Sequence, residues 1–481
     1  MGTYRMGPKG DVLIEERKEI PVARRYDVIV AGGGSGGVGA AVAAGRLGAR
    51  TLLIERNAYL GGTSTGGMMA VFWTPSDTFS GYMKEVMDEL LSLGAAQTGA
   101  VVPFDPEILK EIHLRNVLKA GVEPLLYTWI VDTIVENGQV TGVIVENKSG
   151  RQALLGHVVI DATADGDVAA FAGASFQKGR EDGAMRPVTV LFRMGNVDIA
   201  KMLDYAATHP EQFIKDENVN FMNTREGKVR LAGFFELVKA ARGKGELDRE
   251  CHYLRVESAD FERKMVLINT VRVYGIDGTN AWELSRGEIE ARKQMDQLIR
   301  FMKRDVPGFE RAFLVDSSVS LGVRETRHII GQYILNYDDV LTSRQFDDVI
   351  ATNASHLPHG KEMHSPDAKE GADTDDANRR DVWPLLVHEI PLRSLIVRDV
   401  KNLLVAGRCI SATHEADRMT RNIPPCLMTG QAAGTAAALA ARQKVAPSEL
   451  DVRGVQAALL KQGVNFGRPV PGLKSLTTTH A

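Results

Sequence analysis

Three glycines, Gly32, Gly34 and Gly37, follow the apolar run 26–31 and open a stretch of small residues, and Glu55 ends the next apolar run, 51–55. Residues at this spacing handle phosphate without a charged side chain. The first glycine permits a tight turn, the second lets the main chain approach a pyrophosphate, and the third lets a helix lie close on its strand. Amides left unpaired at the helix N-terminus, with the positive end of its dipole, then face the phosphates. Glu55 stands about where a ribose hydroxyl needs an acceptor. In a chain with 47 glycines the triplet alone says little. Strand, helix and acid together make it a nucleotide cradle rather than an ordinary glycine-rich βα turn.

The elements that must position these residues divide the chain. Residues 1–25 read as an N-terminal arm, and residues 26–174 as the first part of a dinucleotide-binding domain. That part holds the cradle, a second glycine-rich loop at 60–67 and helical apolar spacing over 81–94 and 106–120. Alternating runs over 122–136 and 139–147 meet at Asn137-Gly138, a hairpin signal. A buried-strand pattern at 156–161 then runs into small residues and acids at 162–167.

Residues 175–395 read as an inserted α+β substrate domain. It has alternating strands over 187–194 and 264–274, an amphipathic helix over 285–303, and an irregular loop over 355–380 rich in His and acids. The sheet pattern returns within 396–445, as a strand at 401–408 and a helix of small side chains over 428–441. Residues 446–481 read as a terminal helix and tail. The expected fold class is α/β, a Rossmann-like domain split in sequence by the insertion.

Composition narrows the partners. With 58 basic against 61 acidic residues, a nucleic-acid partner is disfavoured. Cys251, Cys409 and Cys426 are too few and too scattered for a disulfide framework, a zinc site or a four-cysteine cluster, which fits a reducing cytoplasm. No run reaches the ~18 apolar residues of a membrane span, and the charged first 25 residues do not read as a secretory signal. The expected partner is a small-molecule substrate, and a homo-oligomer stays open.

Four pieces carry a family likeness: GGGSGG at 32–37 with Glu55-Arg56, LGGTSTGG at 60–67, DATADGD at 161–167, and LLVAGR at 403–408 followed by RNIPPCLMTGQAAGTAAALA at 421–440. Together they resemble the FAD-dependent oxidoreductase family with the glutathione-reductase-type FAD fold, distantly related to fumarate reductase flavoproteins. The resemblance spans 26–441 and implies FAD as the cofactor. By similarity Gly32, Gly34, Ser35, Gly36 and Gly37 meet the pyrophosphate, while Glu55, with Arg56 beside it, holds the adenosine ribose. Ile130 and Val131 meet the adenine. Gly62, Thr63, Ser64 and Thr65, with Gly407 and Arg408, line the pyrophosphate and ribityl chain, and Ala162, Thr163 and Asp165 flank the dinucleotide. The N-terminus of the last helix, around Pro425 to Met428, points at the flavin pyrimidine edge, where its partial charge favours the reduced ring. One position departs from the family pattern: Ala164 stands where glycine is usual, and its methyl group shifts the backbone near the dinucleotide.

Hydride transfer at flavin N5 asks the protein for orientation, a proton carrier and complementary charge. The candidates are Arg418, Arg421 and His414, before the last helix, and Arg324 and Arg327, which three residues apart would share a helix face. Arginine forks hold carboxylates bidentately, so their convergence on the flavin points to an organic acid. Histidine as a residue type suits proton transfer near neutral pH, which makes His414 a candidate, although a lone histidine is more often structural. His356, His359 and His364 lack a ligand set in register, so no metal is expected. A flavin monooxygenase is the first alternative, without the extra Asp-Gly motif of aromatic hydroxylases. A second is an electron-transfer subunit resembling heterodisulfide reductase flavoproteins, short of cluster cysteines.

Overall fold

The computed structural model describes residues 19–214, 231–356, 385–471 and 473, preceded by two short paired strands at Tyr4–Met6 and Leu13–Glu15. Most of the His-rich segment, including His359 and His364, lies outside the described residues, as does the side chain of His356.

Continuous apolar runs make the central sheet, as expected for strands covered on both faces. Its strands are β1 (Val22–Ala31), β2 (Thr51–Ile54), β3 (Glu123–Leu125), β4 (Trp129–Glu136), β5 (Gln139–Asn147) and β6 (Gly150–Asp161). Strands β3, β2, β1 and β6 lie side by side in parallel. On its other edge β6 pairs antiparallel with β5 over 150–155 and parallel, over 159–161, with Leu403–Val405 from the far end of the chain. The turn between β4 and β5 uses Asn137 and Gly138, both at positive φ, as a tight hairpin requires. Strand β1 starts at Val22, inside the stretch read as an arm; its exposed first residues extend along Ala153–Leu155.

The inserted region forms a five-stranded antiparallel sheet in the order Leu231–Gly233, Leu254–Asp260, Met265–Ile268, Phe192–Gly195, Phe313–Ser317. A 25-residue helix, Ala281–Asp305, capped by the Asn280 side chain, shares its core: Ala291, Leu298, Phe301 and Met302 pack with Val256, Ile268 and Phe192. The register shifts between Val256 and Ser258, which makes Glu257 the extra residue of a β-bulge. Bulges re-aim side chains.

Two helices bring the halves of the main domain together. Helix α1 (Ser35–Arg46) follows the glycine turn, and a 21-residue helix, α2 (Ile423–Gln443), comes from the far end. They touch backbone to backbone. A Cβ added to Gly430 would lie 2.0 Å from the Gly36 carbonyl oxygen, and one on Gly434 2.1 Å from that of Ala40. The small residues of α2 therefore allow a close helix–helix contact, and the same helix also packs on β6 and β1 of the sheet. The helix also starts earlier than residue 428. Asn422 occupies the N-cap without a side-chain cap bond, and Pro424 and Pro425 follow in the first turn, where they have no N–H for it to accept.

Candidate active site and cofactor cavity

A cavity of about 860 Å³ runs between the carboxyl ends of the parallel strands and the inserted sheet. Open α/β sheets bind ligands at this end. Gly32, at φ 100°, donates its amide to the Ile54 carbonyl at 2.8 Å, and a Cβ there would sit 2.5 Å from the Ala162 oxygen. A Cβ on Gly37 would lie 1.8 Å from the Gly32 oxygen. Gly34 differs: a Cβ there meets nothing within 4 Å, because the space beside it is the cavity itself. Tight turn, open approach and close packing are thus divided among the three glycines as their spacing predicts.

Glu55 lines the cavity and already holds its own loop. One carboxylate oxygen accepts the Gly33 amide at 2.7 Å and the other accepts the Asn57 amide and side chain at 2.8 and 2.7 Å. Ser35, Gly36, Arg56, Gly62, Thr63, Ile130, Ala162, Thr163, Asp165, Gly407 and Arg408 also line the cavity. Arg56 lies over the Trp129 ring at 5.2 Å. Arg408, half-buried, bonds Asp165 at 2.6 Å; burial works against its charge, but Asp165 prevails and its pKa is raised.

Five expected contacts do not line the cavity. Gly37 packs inward against the Gly32 turn. Ser64 and Thr65 are fully buried, their hydroxyls donating to Gly61 and Leu60 carbonyls at 2.8 and 2.6 Å, so they shape the loop from inside. Val131 neighbours Ile130 on a strand, where side chains alternate in direction. Met428 lies too far along α2; Asn422, Ile423 and Cys426, one turn earlier, line the cavity instead. Ala164, which replaces the usual glycine, sits at φ 70° on the cavity wall.

Arg324, Arg418 and Arg421 line the cavity, whereas Arg327 and His414 do not. Residues 324–328 are not helical: the chain is extended and enters a strand at Arg327–Ile329. Neighbouring side chains consequently diverge. Arg327 turns away to Asp167 at 2.8 Å and the Asp165 carbonyl at 2.8 Å. His414 Nδ1 lies 2.7 Å from Glu325, in a buried cluster where Glu325 also meets His328 at 2.9 Å and Arg186 at 3.3 Å. Burial alone would raise the Glu325 pKa; bonds from His328 and His414, with the Arg186 charge, hold it well below the carboxylate range. Glu325, His328 and Asp417 bring potential ligand atoms within 4.8 Å of one another, but the Arg186 guanidinium already supplies a cation there.

The inserted sheet contributes residues that the motif reading missed. Arg255, Glu257, Asn269 and Arg272 line the cavity with Trp73 and Met69. Arg255 and Arg272 are only 4% and 5% exposed. Arg272 donates to the Tyr253 hydroxyl at 2.5 Å, and Asn269 donates to Glu257 at 3.1 Å. Their signal in the sequence is a charge at every second position of an apolar strand, as in Leu254-Arg-Val-Glu257 and Val271-Arg-Val273. Arg324 donates to the Pro187 carbonyl; burial, then the charges of Arg421 and Arg272, pull its pKa down to about 9.

Residues 27–459 match the FAD dependent oxidoreductase family. The chain belongs to that family. Gly34 and the bared loop at 60–67 supply the backbone approach that FAD requires, so the residues present fit the cofactor. The thiamine thiazole synthase of Aeropyrum pernix is 36% identical over 122 residues, 25% of this chain and 44% of that protein. The tRNA uridine 5-carboxymethylaminomethyl modification enzyme of Desulfitobacterium hafniense is 33% identical over 141 residues, covering 26% of this chain and 22% of that one. The chain thus spans less than half the length of these curated relatives. Among solved structures, a geranylgeranyl bacteriochlorophyll reductase-like protein from Thermoplasma acidophilum is 14% identical (TM-score 0.44, 91% of this chain and 87% of that one). The p-nitrophenol 4-monooxygenase of Pseudomonas putida is 10% identical (TM-score 0.47, 91% and 85%). Among the described residues, no helix is long and apolar enough to cross a membrane.

Proposed function

We propose that this FAD-dependent oxidoreductase moves hydride between the flavin N5 and a small organic acid. One observation carries the reading: a single cavity runs from the glycine cradle to Arg272, Arg324, Arg418 and Arg421. FAD, when bound, supplies the hydride carrier. The chain supplies binding, orientation and a place for the proton. Guanidinium forks grip a carboxylate and fix the carbon to be oxidised or reduced. Glu257, buried at the bulge and lining the cavity, is the carboxylate placed to hold the accompanying proton. His414, facing the Glu325 cluster, serves to position the short helix His414–Thr420, which carries Arg418 and ends at Arg421. Low solvent access around these groups strengthens each charge interaction.

Anaerobic titration of the FAD-loaded protein with carboxylic acids, amines and alcohols tests this. Bleaching of the visible flavin band by an acid is expected. Bleaching by neutral alcohols, with no acid perturbing the band, would overturn it.

A further inference from the structure

Two short strands, Val71–Phe72 and Val102–Pro103, pair antiparallel, with Val71 opposite Pro103 and Phe72 opposite Val102. Side chains on such a ribbon alternate between its two faces. Met69, Val71 and Trp73 accordingly line the cavity, as do Val101 and Pro103 from the other segment. Ala70, Phe72, Val102 and Phe104 turn the opposite way, into the core. That buried face is held firmly: Phe72 stacks on Phe104 with ring centroids 4.3 Å apart and meets Phe79 edge-on at 6.0 Å. The face toward the cavity is therefore a fixed plate of uncharged side chains, with the Trp73 ring as its largest member.

The inserted sheet closes on this plate. Asn269 reaches the Met69 sulfur at 3.9 Å, and the Arg255 guanidinium stands 6.0 Å from the centre of the Trp73 ring. One wall of this part of the cavity is charged and the other is apolar, so a ligand that fills it needs an acid group and an uncharged body. A small hydrophilic acid would leave the plate against water and forgo the gain from burying apolar surface. Trp73 adds a preference for shape. A second ring on its face gains attraction beyond contact area, and the guanidinium beside it also favours π faces.

We infer that the substrate is an aryl acid: a carboxylate on the arginine side, joined by a short chain to an aromatic ring that lies on Trp73 and its neighbours in the ribbon. This rests on the organic-acid reading above and names the substrate class within it.

The test titrates FAD-loaded protein, under anaerobic conditions, with 3-phenylpropanoate, 3-cyclohexylpropanoate and propanoate, reading dissociation constants from the flavin difference spectrum. The phenyl acid is expected to bind at least about tenfold tighter than propanoate. It should also bind about fivefold tighter than the cyclohexyl acid, which matches it in size and charge. Trp73→Leu keeps an apolar wall and should bring the two ring-bearing acids to equal affinity, with flavin content and propanoate binding unchanged. Equal affinity for the phenyl acid and propanoate in the unaltered protein would overturn the inference while leaving the organic-acid reading intact. A cyclohexyl acid that binds as tightly as the phenyl acid would overturn it too, and neither of these arms needs a variant to fold. So would a phenyl preference that survives Trp73→Leu, because the ring would then lie elsewhere. If no acid perturbs the flavin, the organic-acid reading falls and takes this inference with it.

Discussion

The two ends of the cavity are built from different materials. At the cofactor end the groups that face the ligand are mostly backbone and small side chains, held where they are because glycine carbons touch carbonyl oxygens. The opposite end is made of long charged side chains buried against one another, drawn from residues 255 to 421. The first kind of site tolerates no added volume where its turn closes, at Gly32 and Gly37, and relies little on side-chain charge. Balance of charge is what the second requires.

Substitutions should separate the two. The largest effect is expected at Gly37→Ala, whose methyl group would lie 1.8 Å from the Gly32 oxygen. It should cost on the order of 3 kcal/mol or more and empty the protein of flavin, as read by urea unfolding and by absorbance. Gly48→Ala, at φ 83° with open space around it, should cost only about 1 kcal/mol. Near-equal losses at the two positions would contradict the account of the cradle.

Acid should destabilise the fold through groups buried away from the cavity. His388, on the strand Leu385–Pro391 paired with Val349–His356, is buried; burial pulls its pKa down to about 4. Its pKa is lower folded than unfolded, where it is near 6.5. The stabilising effect is therefore complete above about pH 6.5 and is lost as pH falls toward 4, when the unfolded chain takes up the proton that the folded chain refuses. On the order of 3 kcal/mol should disappear over that window, and His388→Leu should flatten the profile. Glu325, held low, acts in the same direction at lower pH: its contribution is present above about 4.3 and lost as pH falls through its depressed value. A stability curve that does not change between pH 6.5 and 4 would break this assignment.

A smaller effect tests the arginines without removing charge. Arg421→Lys keeps the cation but loses the fork, and should weaken acid binding by about 1.5 to 3 kcal/mol while flavin stays bound. The smallest expected change is a gain. Ala164, at φ 70°, is in the left-handed region that L residues avoid, and Ala164→Gly should add up to about 1 kcal/mol of stability in urea. A loss there would mean that the methyl group makes a contact worth more than the strain.

The same contrast explains what could be read before folding. Backbone sites leave local marks, so Gly32, Gly34, Gly37, Glu55 and the Asn137-Gly138 turn were legible, as were the returning strand and the split domain. Residues 428–441 were recognised as helical, but the small-residue pattern cannot say whether helix, sheet or cofactor lies beneath, and prolines that fit a first turn hid the start at Ile423. Arg324 and Arg327 look alike at a spacing of three; in extended chain that spacing sends them apart. Arg255 and Arg272 escaped notice because burial is a property of the assembled sheet, and a charge on a strand ordinarily faces water.

The last three residues of β6 gain their outer neighbour only from Leu403–Val405. A ribosome that has finished Asp161 must therefore add more than two hundred residues before that edge is covered. At ~5–20 residues per second, the nascent chain carries an uncapped parallel sheet for roughly 10 to 50 seconds. Over that interval the bare edge invites pairing with the wrong strand. Yield of this protein in cells should accordingly respond to translation speed and to chaperones that shield exposed strands during synthesis.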